Sequence, residues 1–227
     1  GWGGSCFGKD PAALVATARE YQLEMPIVQA ARDVNYQQRV WVVDVLQDAL
    51  KILKGRRVAL LGFSFKADTD DLRDAPSIDI ARLLLQRGAM VRAHDPVALD
   101  NARRQYADLG VTFCQDVEEC LDGAEAIVLV TGWPMYRDMP WESIPPVPLV
   151  DGRNFLDREK LEALGWPQCD ADGGLCHVQK AGCQLFTHER GQWHSHPPAH
   201  SGTLALDGYF THFYRRHSTG LASSSVV

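Results

Sequence analysis

No apolar run in the 227-residue chain approaches the roughly 20 residues of a bilayer-spanning helix, and its first residues lack the basic and apolar regions of a secretory leader. A net charge of -6 gives no general electrostatic reason to bind nucleic acid or an anionic membrane surface. Six cysteines at uneven positions are too sparse for a disulfide scaffold, and with the missing leader they predict a reducing, cytoplasmic setting. No C-x-x-C pair occurs, and no metal site is expected even after Trp166, where Cys169, Cys176, His177 and Cys183 gather. The G-x-G-x-x-G turn of a dinucleotide fold is also missing: the first strand runs into Gly62-Phe63-Ser64-Phe65-Lys66.

What is present begins at once. Gly1-Trp2-Gly3-Gly4-Ser5-Cys6-Phe7-Gly8-Lys9-Asp10 is a glycine-rich loop with a thiol, an ammonium and a carboxylate close together. Asp10 before Pro11 reads as an N-cap and first helical residue, which places Cys6 just ahead of a helix N-terminus, a setting that suits a nucleophile. The chain opens inside this loop with no initiating Met, and so reads as a fragment.

A short helix is expected from residue 10 to about 21, then a long one over 26–53, in which Ile27, Val28, Ala31, Val34, Val40, Val42, Val43, Leu46 and Leu50 recur at helical spacing. Such a helix, roughly 40 Å long at about 1.5 Å per residue, commonly bridges lobes or subunits. Strands are expected over 57–62, 90–94, 111–114, 126–130 and 148–151, with helices over 77–88, 101–108 and 117–121. Alternation of this kind predicts an α/β fold: a long central helix followed by an open, doubly wound parallel sheet with ligands at the carboxyl ends of its strands. Polar residues collect there: Ser64, Lys66, Asp68, Asp70, Arg73, Asp95, Thr131 and Arg153. Lys66 offers a point charge and Arg73 a planar fork for phosphate, with the acidic run 68–71 able to hold Arg73 in place. Residues 167–227 have no sustained period and read as an irregular, weakly ordered tail.

Two distant motifs carry a family resemblance. The cysteine loop, together with Gly62-Phe63-Ser64-Phe65-Lys66-Ala67-Asp68-Thr69-Asp70-Asp71-Leu72-Arg73-Asp74-Ala75-Pro76-Ser77, resembles the UDP-glucose 6-dehydrogenase family of nucleotide-sugar dehydrogenases. Asp95-Pro96-Val97-Ala98, Val130-Thr131-Gly132-Trp133 and Asp151-Gly152-Arg153-Asn154 fall in order where that family has similar stretches, so the resemblance covers about residues 1–166.

The resemblance implies oxidation of the C6 alcohol of a nucleotide sugar to an acid, with two hydrides passed to two NAD molecules in turn. Cys6 would attack the intermediate aldehyde, giving a thiohemiacetal and then a thioester, and Asp10 would assist water or proton transfer. Gly1, Trp2 and Gly3 would lie along the substrate; Phe65 and Lys66 would contact the UDP-sugar, and Arg153 would reach the sugar or its phosphates. Arg73 would approach the NAD pyrophosphate, and Lys9 would sit beside cofactor and thiol. The helix from Pro26 would link the lobes and build a homodimer.

The expected division is a cysteine loop and central helix over 1–54, a Rossmann-like UDP-sugar-binding domain over 55–166 and the tail over 167–227. The family's N-terminal NAD-binding domain does not precede the cysteine loop, so the chain alone is expected not to turn over. Gly8 stands where many members have proline and is expected to loosen the turn beside Cys6. GDP-mannose or an N-acetylated UDP-sugar is the rival substrate; a non-catalytic UDP-sugar-binding or dimerisation module is the rival function.

Overall fold

Short runs of β-branched and aliphatic residues alternating with helical segments become a single-direction sheet in the computed structural model of the protein. The structure describes residues 1–166, 176–177, 186–189 and 192–195. The chain divides into two units, Gly1–Gly182 and Cys183–Val227. The expectation of an irregular tail falls almost wholly outside the described residues.

In the first unit the elements are α1 (Ser5–Glu20), α2 (Pro26–Leu50), β1 (Arg57–Leu61), α3 (Pro76–Gln86), β2 (Met90–His94), α4 (Leu99–Gln105), β3 (Thr112–Phe113), α5 (Val117–Leu121), β4 (Ala126–Leu129), α6 (Pro134–Arg137), β5 (Leu149–Asp151), α7 (Arg158–Ala163) and β6 (Cys176–His177). The strands are parallel in the order β3-β2-β1-β4-β5-β6, the doubly wound order in which the chain reverses direction of growth between β1 and β4. In the second unit, β7 (Phe186–Glu189) and β8 (Gln192–Ser195) form an antiparallel hairpin.

Both faces of the sheet are buried, which is why its strands read as continuous apolar runs. Side chains alternate across the pleat. Val58 and Leu60 of β1 and Ala126 and Val128 of β4 join a core with Val42, Val43 and Leu46 of α2 and Ile80, Ala81 and Leu84 of α3. Ala59, Leu61, Ile127 and Leu129 face the other way, into a core closed by Trp133, Tyr136, Trp141 and Trp166.

Three expectations need correction. The first helix begins at Ser5, with Gly4 at its N-cap and Pro11 inside it, so Asp10 is not a cap and Cys6 lies within the first turn. Gly4 fixes the start: its φ of 90° turns the chain, and its amide donates to the Arg73 carbonyl at 3.1 Å. Gly8 accordingly sits in the helix and loosens no turn; a Cβ there would come within 2.7 Å of the Asp74 carboxylate. The apolar stripe of α2 is buried only in its second half. Ile27 is 84% and Val34 56% exposed, whereas the buried positions are Asn35, Arg39, Val42, Val43 and Leu46. The strands and α3 cover that stripe, and the N-terminal half of the helix extends past them.

Candidate active site

The register brings the strand ends level: Leu61 pairs with both His94 and Leu129, and Leu129 with Asp151. The segments that follow β1, β2, β4 and β5 therefore meet at one edge, at the reversal point where open α/β sheets hold ligands. Asp95, fully buried after β2, organises it. One carboxylate oxygen accepts from the amides of Phe63 and Ser64 at 2.8 and 2.9 Å, the Ser64 hydroxyl at 2.9 Å and the Trp133 indole at 3.2 Å. The other accepts from the amides of Val97 and Ala98 at 3.0 and 2.8 Å. A short buried acceptor at this point fixes the backbone that leads into Phe65 and Lys66, and Thr131 adds a bond from its hydroxyl to the Ser64 carbonyl at 2.5 Å.

Arg153, after β5, ties the edge to the cysteine loop. Its Nε donates to the Val130 carbonyl at 2.6 Å, Nη1 to the Gly1 carbonyl at 3.0 Å and Nη2 to the Phe65 carbonyl at 3.4 Å. Three of the five N–H groups of its guanidinium are used this way, leaving two for a ligand. Burial lowers its pKa, and the nearby Asp151 charge opposes that.

The loop itself is held without slack. A Cβ on Gly3 would lie 2.5 Å from the Asp74 carbonyl oxygen and 2.6 Å from Pro76, and one on Gly4 would meet the Phe65 ring at 2.8 Å. The glycines thus let the loop lie directly on the α3 entrance and on an expected substrate residue. Cys6 is exposed, the second residue of α1, with the Ser5 hydroxyl 3.9 Å from its sulfur. Asp10 follows one turn later on the same helix face, where Cβ atoms are about 5–6 Å apart. Lys9 pairs with Asp10 at 3.4 Å, and both side chains are exposed.

Of the two expected phosphate-binding cations, Lys66 is exposed with its ammonium 5.6 Å from the Phe65 ring centre. Arg73 is also exposed, and the acidic run does hold it. Asp71 accepts from its Nε at 3.0 and 3.1 Å and from Nη2 at 2.7 Å. Those bonds draw the Asp71 pKa down and, with a small contribution from Cys6, raise that of Arg73, so Arg73 stands within electrostatic reach of the thiol.

Two site residues escape a sequence reading. Asn35 and Arg39, buried on α2, hold the backbone of Trp2. The Trp2 amide donates to Asn35 Oδ1 at 2.5 Å, and its carbonyl accepts from Asn35 Nδ2 at 3.2 Å and Arg39 Nη2 at 3.1 Å. Arg39 also pairs with Asp74, at 3.0 Å, and with Asp79. Burial opposes its charge, but the two carboxylates outweigh that and leave its pKa raised. The signal was their register: positions 35 and 39 continue the spacing of 42, 43 and 46, yet carry polar side chains. A cavity of about 510 Å³ lies between α1 and α2 here, lined by Trp2, Ser5, Lys9, Arg32, Asn35 and Arg39 among others.

Comparison with known proteins accords with this geometry. Residues 59–158 match the UDP-binding domain, and residues 1–37 the central domain, of the UDP-glucose/GDP-mannose dehydrogenase family. The UDP-glucose 6-dehydrogenase TuaD of Bacillus subtilis is 36% identical over 171 residues, 73% of this chain and 37% of that protein. The UDP-glucose 6-dehydrogenase of Pseudomonas aeruginosa is 36% identical over 176 residues, 73% of this chain and 39% of that protein. A UDP-glucose dehydrogenase structure from Pyrobaculum islandicum superposes with a TM-score of 0.64 and 39% identity, covering 68% of this chain and 35% of the other. This chain therefore spans little more than a third of the length of these relatives. With a cysteine loop docked on a doubly wound sheet and both parts matched in order, the chain belongs to the UDP-glucose/GDP-mannose dehydrogenase family.

Proposed function

We propose that this chain carries the nucleophile and the UDP-sugar-binding lobe of an NAD-dependent UDP-glucose 6-dehydrogenase, which forms UDP-glucuronate in two oxidations. One observation carries the reading. Arg153 donates at once to the carbonyls of Gly1 and Phe65, so the cysteine loop and the nucleotide-binding edge make one site. UDP-glucose is favoured by the UDP-binding-domain match and by the names of the relatives, and Ser5 and Phe7 around Cys6 lean the same way.

NAD, when bound, accepts a hydride in each oxidation. The C6 alcohol first loses a proton and a hydride to become an aldehyde. The Cys6 sulfur adds to its carbon, making a C–S bond and a thiohemiacetal; loss of a second hydride and a proton leaves a thioester. Water then adds, the C–S bond breaks, and acid and thiol separate. Asp10, one turn along from Cys6, takes the water proton, and Lys9, paired with it at 3.4 Å, orients its carboxylate. The backbone of Gly1, Trp2 and Gly3 lies along the sugar, Phe65 and Lys66 contact the UDP-sugar, and the free N–H groups of Arg153 reach it. The exposed fork of Arg73 fits a pyrophosphate contact with NAD, while the turn after β1 offers no glycine cradle for a dinucleotide.

The rest of the NAD site is assigned to an N-terminal domain, in keeping with the share of the relatives that this chain spans. The division into 1–54, 55–166 and 167–227 is proposed on the same ground, and a homodimer through the 26–53 helix is supported by the exposed Ile27 and Val34. No helix among the described residues is long and apolar enough to cross a membrane; the cytoplasmic setting is proposed on the sparse, unevenly placed cysteines.

The test is alkylation of Cys6 by iodoacetamide with and without nucleotide sugars, alongside calorimetry. UDP-glucose should bind and slow Cys6 modification more than GDP-mannose or UDP-N-acetylglucosamine does. Absence of both binding and protection would sink the reading. The rival, a UDP-sugar-binding module without turnover, draws on the missing glycine turn. It is separated by supplying the N-terminal half of the Bacillus subtilis relative: NADH should form only if the site is catalytic.

A further inference from the structure

We propose that Asn35 and Arg39 are positioning residues for Cys6: from α2 they fix the backbone of Trp2, and through it the direction in which the first turn of α1 presents the thiol. The inference rests on the reading of Cys6 as the nucleophile. Asn35 takes both the donor and the acceptor of one peptide residue, as a neighbouring strand would, and Arg39 adds a second donor to the same carbonyl. Trp2 lies only four residues before Cys6, and the intervening Gly3 and Gly4 lie so close to Asp74, Pro76 and Phe65 that neither has space for a Cβ. The Gly4 amide is anchored to the Arg73 carbonyl.

Arg39 then secures the surface on which the loop rests. Asp74, whose carbonyl oxygen underlies Gly3, has a φ of 49°, in the left-handed region that side-chain-bearing residues seldom adopt. Its carboxylate is held by Arg39. Loop and platform are thus locked by a single guanidinium.

Packing alone would not ask for these residues. Asn35 and Arg39 are 7% and 6% exposed, and they lie in register with Val42, Val43 and Leu46. An aliphatic residue at either position would complete the stripe without burying a charge, and buried ionic groups commonly stabilise no more than apolar replacements do. What the polar pair supplies instead is a defined position for one peptide unit.

The experiment compares, at Cys6, the alkylation rates of anionic iodoacetate and neutral iodoacetamide. Their ratio reports the local potential: a thiol held at a helix N-terminus near Lys9 and Arg73 should favour the anion relative to N-acetylcysteinamide. In Asn35→Ala the ratio should fall about two- to fivefold, the size of a helix-terminus effect on one charge. Arg39→Lys, which keeps a cation for Asp74 and Asp79 but loses the fork that reaches Trp2, should fall in the same direction. The melting temperature and the inertness of Cys114 report whether each variant is folded. A ratio unchanged in the folded variants overturns the proposal; should Asn35→Ala fail to fold, Arg39→Lys decides. Failure of the nucleotide-sugar reading shows elsewhere, as absence of UDP-glucose protection in the parent chain.

Discussion

Asparagine in place of Asp95 would test how the ligand edge is built. The substitution keeps size and shape but turns one acceptor oxygen into an NH₂ group. That group must face either the Val97 and Ala98 amides or the four donors on the other side. The cheaper orientation leaves the buried Ala98 amide without an acceptor, at about 1–3 kcal/mol, and the part-buried Val97 amide at the lower end of that range, and it makes the four remaining bonds neutral. A loss of about 4 kcal/mol follows. For a domain of this size each kcal/mol lowers Tm by about 2–4 °C, so Asp95→Asn should melt roughly 8–16 °C lower. Asp100→Asn is the control, since that side chain is 96% exposed and pairs with Arg103 only at 3.7 Å; it should stay within about 0.5 kcal/mol of the parent. Because Asp95 fixes Phe63 and Ser64, UDP-glucose binding by calorimetry should weaken in the same variant. Thermal scans that put Asp95→Asn within 2 °C of the parent, by the same scale under about 1 kcal/mol, would refute the idea that this carboxylate organises the edge.

Burial holds the His94 imidazole below its usual value near 6.5, against the pull of Asp95, Asp116 and Glu118, so the unfolded chain takes up the proton first. Stability should therefore fall as pH drops below about 6.5, and His94→Gln should flatten that part of a Tm-against-pH curve. Gly3→Ala forces a Cβ against the Asp74 carbonyl; a loss of about 1–3 kcal/mol is expected, with UDP-glucose protection of Cys6 lost even where the fold survives. Of Cys6, Cys114 and Cys120, native alkylation followed by peptide mapping should modify Cys6 and spare the other two, which are buried. Sedimentation of Ile27→Glu should show a smaller species than the parent if the exposed half of α2 joins two copies; an unchanged profile removes that helix from the interface.

The sheet was legible because strands buried on both faces leave an uninterrupted apolar signature: β1, β2 and β4 fall within a residue of their expected bounds, and α5 coincides with its own. The family motifs carried the rest of the edge, since Asp95, Arg153 and the cysteine loop each sit in a short, recognisable stretch. What was not legible depended on partners far apart in sequence. Asp10-Pro11 has the local chemistry of a helix start, but the Gly4 bond to Arg73 begins the helix earlier. Likewise, spacing made α2 look apolar throughout, whereas its buried face includes Asn35 and Arg39, whose partners Trp2, Asp74 and Asp79 lie 33–40 residues away. The helices α6 and α7 are short, and each carries too few apolar positions to show a period.

The tie between Arg153 and Gly1 also sets a schedule. It closes a span of 152 residues, which makes it among the costliest contacts in chain entropy and one that has to await the residues after β5. A chain still emerging from the ribosome can form the α1–α2 pair early, but its cysteine loop has no sheet edge to dock on until nearly the whole lobe exists. Until then only the α2 contacts to Trp2 hold the segment that carries the thiol, and the docked loop and the finished sheet edge come into being together.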